Sequence, residues 1–254
     1  MDIRALNRDA WNRYVDNGES EWTQPVSPEI IARAREGDFS ILLTETKPVP
    51  REWFPPLKGL DVLCLASGGG QQGPVLAAAG ARVTIFDNSP RQLDQDRFVA
   101  EREGLDMRLV EGDMRDLSAF ADESFDFIFH PVSNLFIHEI RPVWCEAYRV
   151  LRKGGTLLVG FMNPVFYLFD LEKADEGVLE VKYKLPHADS DYPELVEKMI
   201  ATGDALEHSH TLTDQLGGQV DAGLAIIGFY EDHHGTSVVS EYTPTYIATR
   251  AIKL

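Results

Sequence analysis

The run Ser67-Gly68-Gly69-Gly70-Gln71-Gln72-Gly73 follows a short apolar stretch and precedes a run of small helix-forming residues, and Asp87 closes the next β-branched stretch. Glycines are needed where the backbone turns tightly and where a ligand must approach without a Cβ in the way. A helix starting near Gly73 and Pro74 would present free N–H groups at the carboxyl edge of a sheet. Gly68, Gly70 and Gly73 satisfy the G-x-G-x-x-G spacing, and a carboxylate at Asp87 can accept both hydroxyls of a ribose. On residue types alone, the pattern fits a dinucleotide, an adenosyl cofactor, or a glycine turn that holds nothing.

The other chemically capable residues are histidines. His130 ends an apolar run, and Asn134 and His138 follow it in the next loop. A histidine at the carboxyl edge of a sheet can line a pocket and serve as a general base, since its reference pKa lies near neutrality. His130 is the first candidate, with His138 and His210 behind it; a strand-end histidine bonded to backbone is the structural alternative. Glu207, His208 and His210 stand together, and alternation places the two histidines on one face. Their spacing matches no metal-ligand pattern, and no metal is expected. Phe161, Met162, Phe166, Tyr167 and Phe169 form an aromatic run that suits an apolar substrate pocket or plain core.

The elements that must position these residues alternate. Strands are expected over 61–66, 82–86, 107–111, 125–129 and 155–161, with helices over 74–79, 90–103 and 137–151 between them. That rhythm implies right-handed crossovers and a mostly parallel sheet. Residues 163–210 interrupt it as an insert, with a hairpin from 179–185 and 205–210 and a helix over 193–201. A helix over 211–225 and strands over 228–231 and 245–251 complete the chain, the last pair adding antiparallel to the sheet edge. Residues 1–57 are aromatic and broken by prolines, with helices near 4–16 and from Ser27, which can N-cap with Pro28 behind it. They form an N-terminal cap, and a lid over a ligand is the sharper version of that expectation. The main domain then spans 58–254.

Composition narrows the partners. The chain has 254 residues, with 24 Lys and Arg against 41 Asp and Glu, a formal net charge of −17. So acidic a surface repels phosphate backbones and anionic lipid, so neither nucleic acid nor a membrane is expected as partner. No apolar run is long enough to cross a bilayer, and residues 1–20 carry charge rather than a signal core. Cys64 and Cys145 are expected to be buried single residues rather than a disulfide, which makes the cytoplasm the expected compartment.

Three later segments resemble the class I S-adenosylmethionine-dependent methyltransferases. Glu111-Gly112-Asp113-Met114 resembles the family's adenine-binding segment. Ser124-Phe125-Asp126 and His130-Pro131 flank the fourth strand as they flank its reaction-site strand. Glu146 to Gly155 resembles the helix and turn before its fifth strand. The likeness covers residues 60–162 and, more weakly, 211–251. It implies a Rossmann-like α/β sheet, S-adenosylmethionine as cofactor and methyl transfer to a small-molecule acceptor. The matching positions imply cofactor contacts from Ala66, Ser67, Gly68, Gly70, Gln72, Asp87, Asn88, Gly112, Asp113, Met114 and His130. Two departures stand out: the family carries an acid at the position of Cys64 and a glycine at that of Ala66. They keep open a non-catalytic S-adenosylmethionine-binding protein. An NAD(P)-dependent oxidoreductase is the other alternative, weakened by the lack of a Tyr-x-x-x-Lys pair after the fifth strand.

Overall fold

Val62, Leu63, Cys64 and Leu65 are all fully buried, which marks a central strand covered on both faces. The computed structural model describes residues 1–254. Two cap helices come first, α1 (Ile3–Asn17) and α2 (Pro28–Arg35). The alternating core follows: β1 (Asp61–Leu65), α3 (Gln72–Ala78), β2 (Arg82–Asp87), α4 (Pro90–Glu103), β3 (Met107–Glu111), β4 (Phe125–His130), α5 (Arg141–Val150) and β5 (Leu151–Met162). The insert contributes α6 (Leu171–Asp175) and α7 (Pro193–Thr202), and the chain ends with α8 (Gly218–Asp221), β6 (Leu224–Asp232) and β7 (Tyr246–Lys253).

The seven strands form one sheet in the order β3-β2-β1-β4-β5-β7-β6. The pairs from β3 to β5 are parallel, and β7 lies antiparallel between β5 and β6. Strand order reverses direction at β1 and β4, so the carboxyl ends of these strands flank the crevice where open α/β sheets bind ligands. No helix is long and apolar enough to cross a membrane.

Successive residues of β1 feed opposite cores. Val62 and Cys64 pack with Val75, Ile85 and Phe127, and the cap residues Ile31, Leu43, Trp53 and Phe54 join that same core. Leu63 and Leu65 pack with Phe86, Ile128, Trp144 and Val159 on the other face. A smaller third cluster joins Leu135, Met162, Phe166, Tyr167 and Tyr246 beneath the insert.

Several boundaries differ from expectation for identifiable reasons. The helix expected over 137–151 starts only at Arg141, with Pro142 in its first turn, after a 3-10 turn over Asn134–Phe136. The one expected over 211–225 shrinks to a π turn, Thr213–Gly217, and the single turn α8. Gly218 allows the close approach there, since a Cβ would lie 2.6 Å from the Trp144 ring. The hairpin between 179–185 and 205–210 does not form. Instead Val181 bridges to Phe169, and His208 bridges to Ala188. The backbone of 205–210 is bonded elsewhere: the Leu206 and His208 amides donate to Asn7 Oδ1 and the Leu135 carbonyl, at 2.8 and 2.7 Å. Cys64 is buried as expected, but Cys145 is exposed on the outer face of α5.

Candidate active site

A cavity of about 340 Å³ opens over the carboxyl ends of the parallel strands. Its floor is Ala66, Ser67 and Gly68 after β1, Asp87 and Asn88 after β2, Gly112 to Met114 after β3, and Pro131 to Ser133 after β4. Arg4, Asn7, Arg8 and Trp11 of α1, together with Trp22, cover it, and the strap Leu42 to Glu45 closes one side.

The glycine turn is held from three directions. From inside the fold, Asp96 of α4 accepts the Gly69 and Gly70 amides at 3.0 and 3.1 Å. Burial pushes its carboxyl well above the usual range; the nearby Asp87 adds to that, and the two amides work against it. From the cap, the Val26 amide donates to the Gly70 carbonyl at 2.9 Å, and Gln71 Nε2 donates to the Glu21 and Gln24 carbonyls. A Cβ on Gly69 would lie 2.4 Å from the Trp22 carbonyl, so only glycine lets the cap sit there. At the end of β1, Ala66 takes the left-handed φ of 47° while its amide donates to the Phe86 carbonyl at 2.7 Å. That conformation explains a glycine at this position in the family.

Asp87 faces the turn. Its Oδ2 accepts from the Gly68 amide and its Oδ1 from the Ser89 amide, each at 2.9 Å. A carboxylate offers about four acceptor sites, so each oxygen keeps one for a ligand. Burial raises its pKa, and the Ser89, Gly68 and Asn88 amides oppose the rise. Asn88 is clipped to the cap in both directions: Arg4 Nε donates to its Oδ1 at 2.8 Å, and its Nδ2 donates to the Arg4 carbonyl at 3.0 Å. A Cβ on Gly112 would lie 2.0 Å from the Phe86 ring, which keeps this segment close to the end of β2. Asp113 is bound through both carboxylate oxygens by Arg115, with Arg4 Nε 4.0 Å away. Burial opposes its ionisation, yet the Arg115 guanidinium and amide hold its carboxyl below the usual value.

The cavity therefore brings together every expected cofactor residue except Gly70 and His130. Gly70 packs outward, where a Cβ would meet the Gln95 carbonyl and Pro25. The structure places the three candidate bases away from this cavity's lining. His130 is fully buried behind the cavity wall; its Nδ1 is 2.8 Å from the Leu65 carbonyl, its Nε2 has no partner, and its ring meets Trp144 edge-on. Burial lowers its pKa to about 4 against that backbone bond. His210 is buried with Nε2 3.0 Å from the Asn134 carbonyl, and His138 packs edge-on against His208. None of the three borders the cavity. The end-of-strand position was readable in the sequence, but side-chain direction after a strand end was not.

Of the aromatic run at the end of β5 and in the turn after it, Met162 and Phe166 line the cavity, Tyr167 and Phe169 line a neighbouring one, and Phe161 is core. Trp22 borders the cavity and Tyr14 the neighbouring one. The sequence reading missed Asp96 and Asn7. Asn7, 3% exposed, donates to the Phe136 and Leu206 carbonyls and accepts the Leu206 amide, tying α1 to the loop after β4 and to the insert. Its signal was a polar residue on the 7-10-11-14 stripe that α1 turns inward.

The residues present suit an adenosyl group. The turn is a cradle in which a Cβ on Gly68 would fall 3.0 Å from Asp87 Oδ2 and 2.7 Å from Gln92 Cβ. Gln92 Oε1, buried beside Gly69, has no partner of its own. Residues 63–159 match the methyltransferase domain family model. Over 98% of both chains, this chain is 54% identical to a methyltransferase called YbaJ from Bacillus subtilis (strain 168), itself uncharacterized. The chain belongs to the class I S-adenosylmethionine-dependent methyltransferase family. Solved methyltransferases share the fold: one from Mesorhizobium loti has a TM-score of 0.62 at 17% identity, covering 80% of this chain and 94% of that one. One from Methanosarcina mazei has a TM-score of 0.56 at 19% identity, covering 80% and 95%. These relatives lend no support to an oxidoreductase or a non-catalytic scaffold.

Proposed function

We propose that this methyltransferase binds S-adenosylmethionine in the cavity above β1 and transfers its methyl group to a small-molecule acceptor. The observation that carries this is a single cavity reaching from Asp87 and Gly112–Met114 to an aromatic end at Met162, Phe166 and Tyr246. Asp87 accepts the ribose hydroxyls with the lone pairs its backbone partners leave free. Asp113, ionised by Arg115, and the backbone of Met114 meet the adenine. Ser67, Gly68 and Gln92 face the remainder, and Trp22 with α1 forms a lid. S-adenosylmethionine supplies an activated methyl on a cationic sulfur, which aromatic faces and carboxylates favour. The protein's contribution is alignment of the acceptor with the carbon–sulfur bond and exclusion of water by cap and insert. That enclosure, with the acidic surface, favours a small acceptor over a nucleic acid.

Thermal shift with S-adenosylmethionine, S-adenosylhomocysteine, NAD and NADP tests the reading. The adenosyl compounds should raise Tm, by about 2.7 kcal/mol of added stability at a hundredfold excess over Kd. A shift with NAD and none with either adenosyl compound would overturn it.

A further inference from the structure

A second cavity of about 370 Å³ lies between α1, the turn after β5 and α7, and Phe136 and Glu207 border both cavities. Its walls combine aromatic and apolar side chains, among them Tyr167, Phe169, Tyr183, Leu195 and Met199, with charged ones. Its two lysines are engaged, Lys182 with Asp170 and Lys198 with Glu172. Asp189, Asp204 and Glu207 are the remaining carboxylates of the lining, and of these Glu207 alone also borders the first cavity.

Resting on the methyltransferase reading above, we infer that Glu207 is the catalytic base for a hydroxyl-bearing aromatic acceptor seated in this second cavity. Glu207 Oε2 accepts the Tyr167 hydroxyl at 2.8 Å, which orients the carboxylate and leaves Oε1 for a ligand. Its backbone is fixed as well, the amide donating to Asp189 Oδ2 at 2.8 Å. Asp189 Oδ1 is in turn 2.9 Å from His187 Nε2, and that ring stacks on Tyr167 and Tyr192. The carboxylate is thus placed by a packed network, as a base requires.

In the transfer, an oxygen lone pair of the acceptor forms the bond to the methyl carbon and the carbon–sulfur pair passes to sulfur. The hydroxyl proton goes to Glu207 Oε1, so the carboxylate becomes a neutral acid as the acceptor becomes its methyl ether. Burial raises the Glu207 pKa to about 7, the value that suits a base near neutrality. The Asp189 carboxylate reinforces the rise, while the Tyr167 hydrogen bond and His187 oppose it. Tyr246 of β7 is the other titratable group facing it. The histidines that sequence reasoning favoured, His130, His138 and His210, lie outside both cavities; His187 lines the second, held in its aromatic stack, and His234 lines the first beside Glu45.

The test is calorimetric binding of 2-naphthol to the full-length protein saturated with S-adenosylhomocysteine, from pH 6 to pH 8. In the wild type, affinity should rise through an inflection near pH 7 as the carboxylate ionises and accepts the hydroxyl. Glu207→Gln, likewise saturated with S-adenosylhomocysteine, should lose the inflection and bind about tenfold more weakly at pH 8. Glu207→Asp should partly restore the profile, and Tyr167→Phe should move the inflection upward. 2-Methoxynaphthalene, which has no proton to give, should show no inflection in the wild type. Absence of naphthol binding, or an inflection that survives Glu207→Gln, overturns this inference alone. Failure of the wild type to bind S-adenosylhomocysteine overturns the methyltransferase reading instead.

Discussion

Asp87→Asn tests the proposed ribose contact directly. Both carboxylate oxygens already accept one backbone amide, from Gly68 and Ser89 at 2.9 Å. Asparagine keeps one acceptor oxygen and turns an NH₂ against one of those amides. One charge-assisted bond to the ribose is lost, worth roughly 1.5–3 kcal/mol. The Kd for S-adenosylhomocysteine should therefore rise roughly 10- to 150-fold. The amide left facing a donor costs a further ~1–3 kcal/mol in the free protein. That lowers Tm by several degrees, at about 2–4 °C per kcal/mol for a domain of this size. Calorimetric titration measures the first effect and melting of the ligand-free variant the second. An S-adenosylhomocysteine analogue lacking the 2′-hydroxyl closes a cycle: it should bind the wild type more weakly than the parent, and the gap should narrow in Asp87→Asn. Asp87→Asn binding within twofold of wild type, or a wild type indifferent to the 2′-hydroxyl, would refute the placement.

Two further outcomes follow from burial and close approach. Burial lowers the pKa of His208 to about 4, with the Leu135 backbone bond opposing, so between pH 6.5 and 4 the folded state binds fewer protons than the unfolded. The stability this neutral ring brings is complete above pH 6.5 and lost as pH falls towards 4. The stability gap between wild type and His208→Asn, measured by urea unfolding, should shrink by about 3 kcal/mol from pH 7 to pH 4, and a constant gap would contradict it. Gly160→Ala places a Cβ 2.1 Å from the Leu43 carbonyl, a backbone atom that cannot rotate away. It should cost about 3 kcal/mol or more and weaken S-adenosylhomocysteine binding, because Leu43 belongs to the strap that lines the cavity.

The sheet was legible because its signals are local and redundant. Apolar runs of strand length, the glycine turn, and Asp87 at the next strand end all point to one topology, and each strand lies within a few residues of expectation. Within the insert only the helix over 193–201 was legible, as α7; its other segments bond to partners far along the chain. Leu206 meets Asn7 and His208 meets Leu135, and nothing in residues 179–210 announces either contact. The helix after the insert forms over 212–221, with a π turn at Thr213–Gly217, and ends short of 225 because β6 begins at Leu224. The floor of the cavity followed from motif order, whereas its far end is assembled from α1, the strap, the turn after β5 and the insert. A histidine in sequence next to a strand end is a weak clue, since one bond to a neighbouring carbonyl, as at His130 and Leu65, turns the ring into the core.

The absence of an acid at Cys64 has a physical resolution in α4. A thiol at that position contributes no charge; the Cys64 ring of neighbours is apolar, and burial raises its pKa further under the influence of Asp96. Asp96 instead reaches the turn from the helix behind it and takes two of its amides, the role a carboxylate is well suited to play where successive N–H groups point together. A buried carboxylate so placed holds the glycine backbone before any ligand arrives, while the cap grips the same residues through Val26, Gln24 and Glu21. Glycine is the residue that loses most freedom on ordering, so three in a row would otherwise charge that entropy to the binding step. With the turn fixed during folding, the conformational cost falls on the fold, and the strain of Ala66 at φ 47° is absorbed with it. The turn thus gains its shape from the helix behind and the cap in front.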